Sequence, residues 1–184
     1  MKKVLFTSLI ALSFISFNQI FAQEVVNTPN LPIDADSKKI IYRDVVEENG
    51  DPGYLYNKAM EWFNYYYPSP TSIFSIQDRV NGKIEGTGRM GIYNNDEKGN
   101  KVNAGLIVYS IRIEFKENRY RYTLTDFNLK GSSRFPIEKW LNKEDPAYNP
   151  HWDNYLYQVD TTMQRLTSTL IEKMKPVEEK TDEW

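Results

Sequence analysis

From residue 103 to 116 the chain alternates with little interruption. Ile107, Tyr109, Ile111, Ile113 and Phe115 fall on one set of positions, and Val108, Ser110, Arg112 and Glu114 on the other. Successive side chains of a strand point to opposite faces, so this stretch is a β-strand with one buried face and one largely polar face. A strand so long needs paired neighbours, and its buried face needs a second layer over it.

The neighbours follow directly. Segments 71–79, 83–93 and 119–129 are also β-rich, and the joints between the four are turn residues: Asn81-Gly82, the run from Asn94 to Gly99, and Glu117-Asn118. Connections this short make antiparallel hairpins, which predicts a four-strand meander over 71–129. A further strand is expected at 39–47, where Ile40, Tyr42, Val45 and Val46 supply apolar character.

The covering layer comes from two amphipathic helices. The first is expected at about 52–66: Asp51 can cap its free N–H groups, and Pro52 suits its first turn. Leu55, Ala59, Trp62, Phe63 and Tyr66 recur every three or four residues, and Pro68 and Pro70 end it. The second is expected at 153–175, where Leu156, Val159, Met163, Leu166, Leu170 and Met174 keep the same period. Lys173 and Lys175 suit its C-terminal dipole, and Pro176 stops it. Between them, 131–150 reads as a long ordered loop with a turn at Arg134-Phe135-Pro136 and a short helical stretch near 137–142. The order β-α-β-β-β-β-α predicts an α+β fold, a curved antiparallel sheet with two helices packed on one face.

The start of the chain reads as an address. Lys2 and Lys3 precede an apolar run from Val4 to Phe17, too short for the roughly 20 residues that span a bilayer, so 1–22 is expected to be a signal peptide cleaved near Ala22. Those residues carry two lysines and no acid, so cleavage would move the net charge from −2 to −4. With no cysteine there is no disulfide, no thiolate metal site and no carrier for a lipid anchor. The expected location is therefore the periplasm or the outside of the cell, with no stable membrane anchor after cleavage. A net charge near zero removes the electrostatic term on which phosphate-backbone binding relies, so nucleic acid is not an expected partner. Residues 23–38 read as a flexible lead-in, 39–176 as a single α+β domain, and 177–184 as a charged tail.

The helix segment Tyr54-Leu-Tyr-Asn-Lys-Ala-Met-Glu-Trp62, the Gly86-Thr-Gly88 strand and above all Arg119-Tyr-Arg-Tyr-Thr-Leu-Thr-Asp-Phe127 resemble exported Bacteroidetes proteins grouped as a domain of unknown function, DUF4468. The resemblance runs from about Ile40 to Leu129. It implies a TBP-like fold and export, and it brings no active-site residues with it.

Candidate chemistry is sparse. His151 is the only histidine, and Asn149-Pro150-His151-Trp152-Asp153 reads as a helix entry. No Gly-x-Ser-x-Gly elbow marks a serine nucleophile. Asp78, Glu85 and Asp126 are the carboxylates weighed for glycosidic chemistry, without a spacing that pairs them. Gly86, Gly88 and Gly91 do not form a phosphate loop; in a strand they mark a bend, a bulge or an aromatic ring laid over the backbone, with a bend favoured. Tyr65, Tyr66, Tyr67, Trp62 and Phe63 read as core rather than as the lining of a ligand pocket. The 94–97 segment reads as a hairpin turn rather than a calcium loop.

More informative is the polar sheet face. Strict alternation places Gln77, Arg79, Glu85, Thr87, Arg89, Ser110, Arg112, Glu114, Arg119, Arg121 and Thr123 opposite the helices. The candidate ligand-binding residues are Arg89, Arg112 and Arg121, whose guanidinium forks suit an anionic group or a partner's acidic side chains. No catalytic residue, metal ligand or cofactor is expected. The sequence thus points to an exported, non-enzymatic binding or interaction module of the cell envelope, its partner an envelope protein or a small ligand. The alternative is a hydrolase acting on an envelope or glycan substrate.

Overall fold

The computed structural model describes residues 29–176. The expected signal peptide and charged tail lie outside the described residues. Six strands and two helices follow one another as β1 (Tyr42–Glu47), α1 (Pro52–Tyr66), β2 (Phe74–Asp78), β3 (Lys83–Asn95), β4 (Lys101–Lys116), β5 (Arg119–Leu129), β6 (Phe135–Pro136) and α2 (His151–Met174). Short 3-10 turns occupy Pro70–Ser72 and Ile137–Leu141. This is the α+β architecture expected from the hydrophobic periods.

Each element forms for a local reason. Asp51 Oδ1 accepts the Tyr54 N–H at 2.9 Å and caps α1, with Pro52 in the first turn where its missing donor is harmless. Leu55, Ala59, Trp62 and Phe63 are fully buried, and Tyr56, outside the expected stripe, is buried beside them. Along α2, Leu156, Val159, Met163, Leu166, Leu170 and Met174 are all fully buried, so the whole expected stripe lies in the core. On β4, Ile107, Tyr109, Ile111, Ile113 and Phe115 face that core.

The sheet is antiparallel, in the order β1-β5-β4-β3-β2. Strands β2 to β5 form the meander; β1 returns to the free edge of β5, and α1 carries the chain across the sheet to the other edge. The two-residue β6, expected as a turn, pairs with the far end of β5. Both helices pack against the sheet and against each other. Among the described residues, no helix is long and apolar enough to cross a membrane.

Two departures from strict alternation matter for the surface. The four-residue turn from Arg79 to Gly82 sets Asp78 opposite Lys83, and hence Gln77 opposite the buried Ile84 and Ile76 opposite Glu85; the register shifts only beyond these pairs, between Phe74 and Ile76. Gln77 and Arg79 therefore leave the open face on which alternation placed them. The Arg79 guanidinium lies instead beside Gly53 at the start of α1. In β5, Asp126 takes a left-handed backbone, φ 55°, where the register with β4 shifts between Val108 and Ser110. This bulge turns Phe127 inward to stack on Tyr109, with ring centroids 5.6 Å apart.

The lead-in expected to be flexible is described from Pro29 onward and is tied down there. Leu31 is buried, Ile33 bridges Ile40, and the Ile41 N–H donates to the Pro32 carbonyl at 2.9 Å. Burial of one leucine and pairing with the chain just before β1 hold this segment against the domain.

Candidate functional site

Because α1 and α2 share one side of the sheet, the side chains of the other side form a broad open face. Its cross-strand rows follow from register. Glu47, Arg119 and Lys116 make the first row. Val45, Arg121, Glu114, Lys83 and Asp78 make the second. Arg43, Thr123, Arg112, Glu85 and Ile76 make the third. Thr125, Ser110 and Thr87 follow, and then Val108 with Arg89. Seven basic side chains thus meet four acidic ones, in a chain whose net charge is −2.

All three candidate arginines lie on this face, but in different states. Arg112 Nε is 2.6 Å from Glu85 Oε1, and Lys83 Nζ is 2.7 Å from the same oxygen. The hydrogen-bonded Lys83 ammonium, with the Arg112 charge beside it, holds the Glu85 carboxyl below the usual carboxylate range. Arg121 grips Glu114 Oε2 through Nε at 3.0 Å and Nη2 at 2.7 Å. Arg89 has no carboxylate partner among the described residues. These cross-strand pairs hold two guanidinium groups in fixed directions, and at this exposure each contributes little to stability.

Residue-by-residue reasoning missed Lys116 altogether and set Arg119 aside. Neither forms an ion pair with a described residue, although Glu47 stands in register with Arg119. With Val45, Glu114, Tyr120 and Arg121 they border a concavity of about 200 Å³. The available signal was the strand end: Lys116 and Arg119 flank a two-residue turn, which places their side chains together on one face.

The remaining candidates have structural roles. His151 opens α2, its N–H donating to Asn149 Oδ1 at 3.0 Å and its ring stacked on Tyr155. Asp78 accepts the Asn81 N–H at 2.9 Å in the turn after β2. Asp126 pairs with Lys39 at 2.7 Å and with Arg134 at 3.5 Å, pinning the bulge. Asp96 accepts the N–H groups of Lys98 and Asn100, which closes the β3–β4 hairpin. Among the described residues, no group of three or more His, Asp or Glu side chains is placed to hold a metal ion.

In the aromatic cluster, Trp62, Phe63 and Tyr67 are core, Tyr66 is half-buried, and Tyr65 is exposed under the Lys173 ammonium, 4.4 Å from its ring centre. Tyr67 and Tyr109 share a hydrogen bond of 3.0 Å deep in the molecule. Burial pushes both hydroxyls up, Tyr109 to about 12. Gly88 lies under the Tyr109 ring, and Gly86 under the Ile73 carbonyl. The spaced glycines therefore admit close neighbours rather than marking the favoured bend.

Comparison with known proteins supplies a family likeness but no activity. No match is found among curated proteins. A crystal structure of a DUF4468 family protein from Bacteroides ovatus ATCC 8483 is similar with a TM-score of 0.63 at 14% identity, covering 82% of this chain and 93% of that one. A TBP-like protein from Parabacteroides distasonis ATCC 8503 gives 0.53 at 17% identity, covering 75% and 96%. At such identities the likeness is one of fold. A family model, a domain of unknown function (DUF4468) with TBP-like fold, matches residues 42–130, the stretch from the first residue of β1 to just past β5. Over residues 42–130, a little under half of its length, the chain is thus similar to the DUF4468 family, and its fold is TBP-like.

Proposed function

We propose that this protein is an exported, non-enzymatic binding module of the cell envelope, periplasmic or secreted after cleavage near Ala22, and that its working surface is the open face of the sheet. The observation that carries the reading is the one-sided layering. Both helices cover the same side, which leaves a face whose basic side chains outnumber its acidic ones in a chain of opposite net charge. Local charge governs contact recognition, because screening beyond about 8 Å mutes the rest of the molecule at physiological salt. Arg89, Arg112 and Arg121 are part of this surface. The ion pairs of the latter two with Glu85 and Glu114 fix their direction before any partner arrives, and preorganisation lowers the entropic cost of binding. The alternative of an envelope or glycan-directed hydrolase has no comparable observation behind it, since His151 and the weighed carboxylates are engaged in local structure.

The test is capture from the native envelope on the immobilised domain, compared with a domain carrying Thr87→Trp and Ser110→Trp. These substitutions obstruct the centre of the open face and leave the core side chains in place. A component retained by the wild type and lost by the obstructed domain is the expected result; equal retention by both contradicts the reading.

A further inference from the structure

We propose that the corner of the open face built by Lys116, Arg119 and Arg121 receives an extended, acidic segment of a protein partner. This deepens the preceding reading and rests on it. Three features of the corner point to that occupant.

The first is unspent charge. Lys83 and Arg112 share Glu85, whereas Lys116 and Arg119 have no ion-pair partner among the described residues and, unlike the equally unpaired Arg43 and Arg89, stand opposite each other across a turn. Next to them, Arg121 is held by two hydrogen bonds to one oxygen of Glu114 and so presents a fixed direction. The second is spacing. Arg119 and Arg121 are two residues apart on β5, so they lie on the same face about 7 Å apart along the strand. An extended peptide repeats its same-side carboxylates at that interval, so alternate acidic residues running along β5 meet both guanidinium groups, with Lys116 across the turn as a third cation. Guanidinium favours such planar, two-oxygen partners. The third is shape. The concavity is about 200 Å³, and Val45, half exposed on the edge strand β1, forms an apolar wall beside the charges. An apolar wall excludes water and strengthens the ion pairs formed against it.

The same features disfavour a nucleic acid. No exposed aromatic side chain stands among the charged rows at this corner, since Tyr120 beside the concavity is buried and Tyr93 lies at the far end of β3, so the corner offers no platform on which bases stack. A long phosphate backbone would also extend past the corner over a molecule of net negative charge.

The test uses a fluorescently labelled peptide of alternating Glu and Thr, titrated against the domain by anisotropy at rising salt, beside an alternating Lys and Thr peptide and a single-stranded oligonucleotide. Wild type should bind the acidic peptide saturably, more tightly than either comparison probe, and lose affinity as salt rises. Lys116→Glu with Arg119→Glu should weaken it by at least about tenfold, roughly 1.4 kcal/mol. Lys98→Glu, which changes charge in the distant β3–β4 turn, should leave it within about twofold. A thermal melt of each variant confirms folding. Absent binding, affinity unchanged by the double reversal, or equal binding of the Lys peptide or the oligonucleotide overturns the proposal. If the obstructed domain also loses its envelope component while the acidic peptide fails to bind, the face remains the working surface and only the acidic partner is wrong.

Discussion

Gly88 sets the tightest residue-scale constraint in the sheet. A Cβ built there would lie 2.2 Å from Cζ of Tyr109, its register partner on β4, and that ring is fixed by the Tyr67 hydroxyl and by stacking on Phe127. Neither ring can yield without breaking a buried hydrogen bond or a packed pair, so Gly88→Ala should lower stability by about 1–3 kcal/mol in urea denaturation. Gly131→Ala, whose Cβ would meet nothing nearer than 3.8 Å, should stay within about 0.5 kcal/mol. A loss at Gly88 no larger than at Gly131 would show that the ring does not lie across the strand. The spaced glycines were visible in the sequence, yet their purpose was not, because it depends on which β4 residue lies opposite. Asp126 was harder still: its left-handed backbone falls in Thr125-Asp126-Phe127, where neither glycine nor proline announces a bulge.

At the scale of elements, both helices were legible from their apolar period and their stops, and α1 also from its Asp51 cap, since each of those signals is local. What escaped was anything set by a neighbour: the β2–β3 pairing register that moved Gln77 and Arg79, and the two-residue β6. The helix–sheet interface has a titration of its own. Tyr42, Tyr67, Tyr109 and Tyr120 are buried between the layers, and burial raises all four hydroxyls above their ordinary value of 10. Below pH 10 both folded and unfolded states keep these protons, so their contribution to stability is complete. Above it the unfolded chain ionises first, and stability falls as pH rises through the folded values, the first of them near 12 at Tyr109. The slope is about 1.4 kcal/mol per pH unit for each such tyrosine. Denaturation measured from about pH 9 to 11.5 should show this decline, and Tyr67→Phe should make it shallower. A slope untouched by that substitution would mean the hydroxyl titrates freely.

On the scale of the whole molecule, the layer arrangement was readable and the strand order was not, because β1 joins β5 across more than seventy residues of chain and no local signal encodes that choice. That pairing brings Glu47, Val45 and Arg43 onto the open face and completes the basic corner at Lys116 and Arg119. The candidate site was therefore legible as a face, through the alternation of β3, β4 and β5, but its centre of charge lies nearer the β4–β5 turn than Arg89 and Arg112 suggested. On the proposed function, partners meet the uncovered side of the sheet. Photo-crosslinking residues placed singly at Thr87 and Ser110 on that face, and at Thr161 and Ser168 on the exposed side of α2, test it in the native envelope with one readout. Partner adducts are expected from Thr87 and Ser110 and none from the α2 positions; adducts from α2 alone, or equally from both sides, would overturn this.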